Sequence, residues 1–167
     1  MAKSCSNINI NIMRKIFLLA ITAIALSITQ ASAQSYKNAI GLGLDFGNGS
    51  TLVGPSFKHK FSSNAAGQAE LLFGDHSTRL QAFYQYHQGI AGANGLDWFI
   101  GGGPGLNFFS YGNYDQTNFL LIPMAGLDFK IPGAPIAMSF DWRPTAWIGD
   151  NSDFEAGRFG FGFRFTF

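Results

Sequence analysis

The last ten residues, Arg158 to Phe167, read RFGFGFRFTF, with a phenylalanine at every second position. Along a strand, successive side chains point to opposite faces. Phe159, Phe161, Phe163, Phe165 and Phe167 therefore share one face, and Arg158, Gly160, Gly162, Arg164 and Thr166 share the other. A helix has no use for this period, so the segment is read as a strand with one oily face and one that is wet or packed with small groups. Either the oily face covers a soluble core, or it meets lipid and the polar face looks inward.

The same period runs back through the chain. Stretches of about ten residues, separated by clusters of Gly, Asn, Asp, Ser and Pro, carry the signature of strands and turns, and no long helical period intervenes. Eight strands are predicted: Asn38 to Gly47, Thr51 to Phe61, Ala65 to Phe73, Thr78 to Gln88, Leu96 to Phe109, Asn118 to Ile131, Pro135 to Trp147 and Ala156 to Phe167. In the first, Ile40, Leu42, Leu44 and Phe46 oppose Gly41, Gly43 and Asp45; in the seventh, Ile136, Met138, Phe140 and Trp142 oppose Ala137, Ser139, Asp141 and Arg143. The sixth is less regular, because Leu120, Ile122 and Met124 sit on the face that later carries Asp128 and Lys130. Transmembrane barrel strands give this weak signal per segment, and they need about 9 to 11 residues to cross the hydrocarbon layer.

The N-terminal region says where such a chain goes. From Met13 a basic start, Arg14 and Lys15, precedes an apolar run from Ile16 to Ile28 and the small-residue ending Ala31-Ser32-Ala33. That is the grammar of a secretory signal peptide, with cleavage expected before Gln34. The run falls short of the roughly 20 apolar residues of a spanning helix. Residues 1–33 are therefore read as an N-terminal extension and cleaved leader, with translation starting at Met1 or Met13, and residues 34–167 as one domain. The only cysteine, Cys5, leaves with the leader, which excludes disulfides, thiolate metal ligands and a thiol nucleophile from the mature chain. With 8 Lys and Arg against 10 acids, the mature chain has a formal charge of −2 and no footprint for nucleic acid.

Charge placement decides which face is outside. A soluble barrel hides its apolar face inward and scatters charge outward. Here charged residues are only 13% of the chain, and the polar face mixes glycines with Asp45, Lys58, Lys60, Glu70, Asp128, Lys130, Asp141, Arg143, Arg158 and Arg164. Glycines suit a crowded lumen where side chains from opposite walls meet. On the other face, aromatic residues gather towards strand ends, with Trp98, Phe61, Phe129 and Phe165 at one rim and Phe46, Phe108, Phe119, Trp147 and Phe159 at the other. Two such bands are the interfacial girdles of a membrane barrel. The fold expected is an all-β, eight-stranded, antiparallel up-and-down transmembrane barrel, lipid outside and polar residues inside.

The ending Gly162-Phe163-Arg164-Phe165-Thr166-Phe167 resembles the C-terminal signal of bacterial outer-membrane barrels, in which Gly162, Phe165 and Phe167 take the conserved-type places and Gly160 stands where a polar residue is usual. In architecture the whole mature chain resembles the small OmpA- and OmpX-type barrels. The resemblance implies a location in the bacterial outer membrane, contact with lipid and lipopolysaccharide, passage by periplasmic chaperones, and recognition of the last strand by the barrel-assembly machinery. It implies that both termini lie in the periplasm and that the last strand closes against the first, which would bring Asp45 and Arg158 together across the closing seam. The ten charged residues named above are then a structural network filling the lumen, since eight strands leave an interior just wide enough for side chains. The alternative is a small porin-like channel, and behind it a lipopolysaccharide-modifying enzyme. With the chain ending at Phe167, the peptidoglycan-binding module of longer OmpA-type proteins is expected to be absent.

No cofactor, metal or catalytic residue is expected. Gly101-Gly102-Gly103-Pro104-Gly105 lacks the Lys-Ser/Thr ending of a phosphate loop and is better read as a strand segment of low bulk. His59, His76 and His87 lack zinc-ligand spacing. Asp75-His76-Ser77, in an outer turn, holds the residue types of a catalytic triad, but neighbours in sequence rarely aim at one another. Outer loops are placed at Asn48 to Ser50, Gly74 to Ser77, Ser110 to Thr117 and Ile148 to Glu155.

Overall fold

The structure is a computed structural model that describes residues 36–112, 114–149 and 152–167. The expected leader and both candidate start positions lie outside the described residues. Ten strands follow in order: β1 Asn38–Gly47, β2 Ser50–Lys60, β3 Ala65–Phe73, β4 Ser77–Gly89, β5 Leu96–Tyr111, β6 Tyr114–Lys130, β7 Ile136–Trp142, β8 Thr145–Ile148, β9 Asp153–Glu155 and β10 Arg158–Thr166. They make eight staves. Leu121 pairs with Ala146 and Ala125 with Trp142, so β8 continues β7 in one register; β9 and β10 likewise form the eighth stave.

Each stave pairs antiparallel with the next, and β10 pairs with β1 from Ala39↔Thr166 to Gly47↔Arg158, closing the ring. Asn38 and Phe167 exchange two main-chain hydrogen bonds of 2.9 Å at the end of that seam. Closure leaves no open edge, the condition for a sheet in hydrocarbon. The fold expected from the alternation is the fold found.

The faces are inverted relative to a soluble protein. Leu42 is 54% exposed on the outside, while Arg143 is 0% exposed in the interior. Ile40, Phe57, Leu80, Ile100, Leu121, Phe140 and Phe163 share the outer face, and an apolar surface this continuous suits hydrocarbon surroundings.

Four local differences from the sequence reading have physical causes. Residues 110–117, expected as a loop, are mostly strand: β5 and β6 stay paired to Tyr111↔Tyr114, because the alternation of Phe109, Tyr111 and their partners carries the ladder to a tight turn. The seventh stave breaks at Arg143-Pro144, where proline supplies no donor. The eighth breaks at Ala156-Gly157, where pairing shifts by one residue between Thr145↔Glu155 and Trp142↔Phe159, a bulge. Trp147, expected in an outer girdle, faces inward: it keeps the inward parity of Arg143 and Thr145 and packs on interior apolar residues.

Among the described residues the ladder is interrupted at prolines. Pairing skips Pro55 between Ser56↔Glu70 and Val53↔Phe73, and skips Pro104 between Gln81↔Gly105 and Tyr84↔Gly102. Between β6 and the seventh stave, Pro123 stands level with Pro144. The β1–β2 turn, by contrast, is tight: Asn48 and Gly49 both have positive φ, 46° and 78°, as a two-residue hairpin requires.

Candidate functional site

The interior is divided by chemistry. Phe83, Phe99, Leu120, Ile122 and Met124, on β4, β5 and β6, form one apolar cluster against which Trp147 packs. The irregular sixth strand is thereby explained: its Leu120, Ile122 and Met124 face the lumen, opposite a charged cluster centred on Glu70 of β3 and on the arginines of the seventh and eighth staves. Gly105 leaves room for this cluster, since a β-carbon there would meet Leu120 and Ile122 at 3.2–3.4 Å. At Gly101 and Gly103, a β-carbon would instead strike the main-chain oxygens of Tyr84 and Ala82 on the neighbouring strand.

Glu70 is the centre of the charged half. Its Oε1 accepts from Ser56 Oγ at 3.0 Å, Gln68 Nε2 at 2.8 Å and Arg164 Nη2 at 3.3 Å, and its Oε2 accepts from Gln81 Nε2 and Arg143 Nη1, both at 2.8 Å. Arg143 also forks onto Asp141, Nε to Oδ2 at 2.6 Å and Nη2 to Oδ1 at 2.9 Å. Arg164 donates to Ser56 and Ser139 at 2.9 and 2.8 Å. All of these are buried. Buried charges are tolerable when paired and fully hydrogen-bonded, and the side-chain amides and hydroxyls complete the set.

The glycines of the terminal strand make room for it. A β-carbon at Gly160 would occupy the space of the Arg143 guanidinium, and one at Gly162 that of Arg164. The alternation that opened the chain's reading therefore has two jobs: phenylalanine coats the outside, and glycine clears volume for arginine inside.

Towards the end of the barrel opposite the termini, here the distal end, Arg158 forks onto Asp45 Oδ1 at 2.9 and 2.6 Å across the closing seam. Arg79 reaches the same carboxylate, Nη1 to Oδ2 at 3.3 Å, and its guanidinium lies 5.5 Å from the Trp147 ring centroid. At the end bearing the termini, Lys58 Nζ meets Asp128 at 2.5 Å, Tyr36 Oη donates to Asp128 at 3.1 Å, and Lys60 Nζ meets Asp97 at 3.1 Å. Burial and the Asp128 carboxylate push the Tyr36 phenol well above its usual range, so it remains a donor.

Nine of the ten charged residues expected in the lumen network thus make ion pairs within the barrel. Lys130 differs. Its Nζ donates to the main-chain oxygens of Ile131 and Ala134, at 3.1 and 2.5 Å, in the β6–β7 turn, because it is the last residue of β6 and the turn carbonyls are its nearest acceptors. Arg79, Asp97, Tyr36 and the glutamines 68, 81 and 85 belong to the interior but were not among the expected site residues. Arg79, Gln81 and Gln85 were legible from their place on the polar face of β4; Tyr36 lies before any strand period begins.

Above Asp45 the lumen opens into a distal cavity of 550 Å³, with Arg79, Arg158, Trp147, Leu52 and the 74–77 turn in its wall. The His76 ring packs edge-on against Tyr111, 4.9 Å between centroids. Among the described residues no side-chain hydrogen bond joins Asp75, His76 and Ser77, the wiring that a nucleophile and its base require. His59 Nδ1 lies 2.7 Å from Asn38 Oδ1, while His87 stacks on Phe99 in the lumen.

No family model and no curated protein matches the sequence. Among solved structures, the chain is similar to the crystal structure of the N-terminal β-barrel domain of Pseudomonas aeruginosa OprF, with a TM-score of 0.59 and 16% identity, over 78% of this chain and all of that one. The likeness is one of fold: both are eight-stranded β-barrels, this one closed and antiparallel throughout.

Proposed function

We propose that the chain is an integral barrel of the bacterial outer membrane with a structural or interaction role, non-enzymatic, its lumen plugged by its own charges. The single observation that carries this reading is Glu70, which is fully enclosed and holds Arg143 and Arg164 across the middle of the lumen. A side-chain plug of this kind is the default interior of eight strands. Lipid and lipopolysaccharide are the expected surroundings. Periplasmic chaperones and the barrel-assembly machinery are the expected partners in biogenesis, with Gly162, Phe165 and Phe167 as the assembly signal.

The test is single-channel recording of the refolded chain, residues 34–167, in a planar bilayer, with a heat-dependent gel shift as the measure of folding. Folded protein that conducts no current is the expected result. Steady openings whose selectivity changes in Asp141→Ala or Arg164→Ala would replace the plug with a pore. Deleting the gene should leave the lipid A mass profile unchanged, and an altered profile would restore the enzyme reading.

A further inference from the structure

We infer that the distal cavity is a binding site for a neutral, hydroxyl-rich guest of the size of a sugar or short saccharide. The cavity holds 550 Å³, within the range of small-molecule sites, and it shares Arg79, Arg158 and Trp147 with the packed lumen. Its charges balance: Asp75 and Glu155 line it together with Arg79 and Arg158. Both arginines already hold Asp45, and Arg158 Nη1 also donates to Ser50 at 2.9 Å and meets Glu155 at 3.5 Å. An anion entering this mouth therefore meets arginines already committed to carboxylates, and a cation meets only Asp75, an exposed carboxylate whose pull is screened by water and salt, so electrostatic complementarity builds no strong ion site.

What the wall offers instead is hydrogen-bonding capacity of both kinds. The Asp75 carboxylate and the hydroxyl of Ser77 make no side-chain hydrogen bond to other described residues, and the Arg79 Nη2 donor is likewise unused there. Carboxylates accept, guanidinium donates and hydroxyls do both, which matches a guest whose every hydroxyl is both donor and acceptor. Trp147 supplies indole surface beside Leu52 and Phe109, an apolar wall with a polar handle, suited to the C–H face of a sugar ring.

Trp147 also makes the site measurable. The chain has three tryptophans, and Trp98 and Trp142 lie on the outer face, so the double variant W98F/W142F reports emission from the cavity alone. The refolded barrel in detergent micelles, with folding verified by its gel shift, is titrated with maltose and lactose, then with inorganic phosphate and glucose 6-phosphate. A saturable change in Trp147 emission with a neutral disaccharide is expected, untouched by phosphate, with the apparent affinity reduced at least about tenfold in Asp75→Asn, the loss expected for one hydrogen bond to a charged group, and reduced also in Ser77→Ala. A response to the phosphate probes alone would overturn the assignment in favour of an anion site. Silence from folded protein, or a response unchanged in both variants, would equally end it.

Discussion

At the scale of single residues, the interior is organised by where a guanidinium can be placed. Arg143 is 0% exposed and has one geometry that satisfies it, between the Asp141 fork and Glu70. Gly160→Ala should therefore destabilise the barrel by about 1–3 kcal/mol, since the added carbon displaces a group that cannot move without leaving its carboxylates. Glu70→Gln leaves Arg143 and Arg164 without their shared counter-charge. Removing one partner of a buried pair costs about 3–5 kcal/mol, so this variant should unfold in much less urea than the parent, measured on refolded protein by the disappearance of the heat-shifted band. A midpoint unchanged in Glu70→Gln would mean that the cluster is not holding the fold.

At the scale of elements, the walls differ in strength. Arg143 turns its N–H to Arg158 at 3.0 Å, so the next residue, Pro144, directs its main chain at β6, where it meets Pro123. Neither has an N–H, and in hydrocarbon an unmade ladder bond finds no water to replace it. Pro123 is exposed on the outer face, so Pro123→Val restores a donor without crowding the lumen. It should raise the unfolding free energy by about 0.5–1.5 kcal/mol, one net hydrogen bond; a variant no more stable in urea would show that the interruption lies elsewhere. The closing seam gives the opposite case. Deleting Phe167 removes both hydrogen bonds with Asn38, and the truncated chain should refold to a smaller heat-shifted fraction than the parent.

For the molecule as a whole, the polarity is that of a protein whose solvent is lipid. The charged half of the lumen and the apolar cluster of β4, β5 and β6 fill it together, and room remains at the distal mouth. A barrel so filled should be silent in a bilayer while resisting SDS until heated. The double variant Glu70→Gln with Arg143→Gln removes the central pair, and is the change most expected to admit current if the plug is what closes the lumen. Silence from the folded double variant would assign closure to the apolar cluster instead.

The alternation in the sequence determined the strand period, the number of staves, the inverted faces and the identity of most inward charges, because a side chain's face depends only on its parity along the strand. It also placed most of the turns, where Gly and Asn are needed for local reasons, though the 110–117 stretch is mostly strand. Beyond the Asp45–Arg158 pair, which closure of the last strand on the first already implied, tertiary structure decided which charge meets which. Glu70 and Arg143 lie 73 positions apart. Their meeting depends on barrel closure and stagger, which parity does not encode. The same holds for Trp147, whose rim position suggested lipid while its parity pointed inward, and for Lys130, whose charge is taken up by a turn. The distal cavity belongs to this second class, since empty space is set by how eight staves close and not by any one of them.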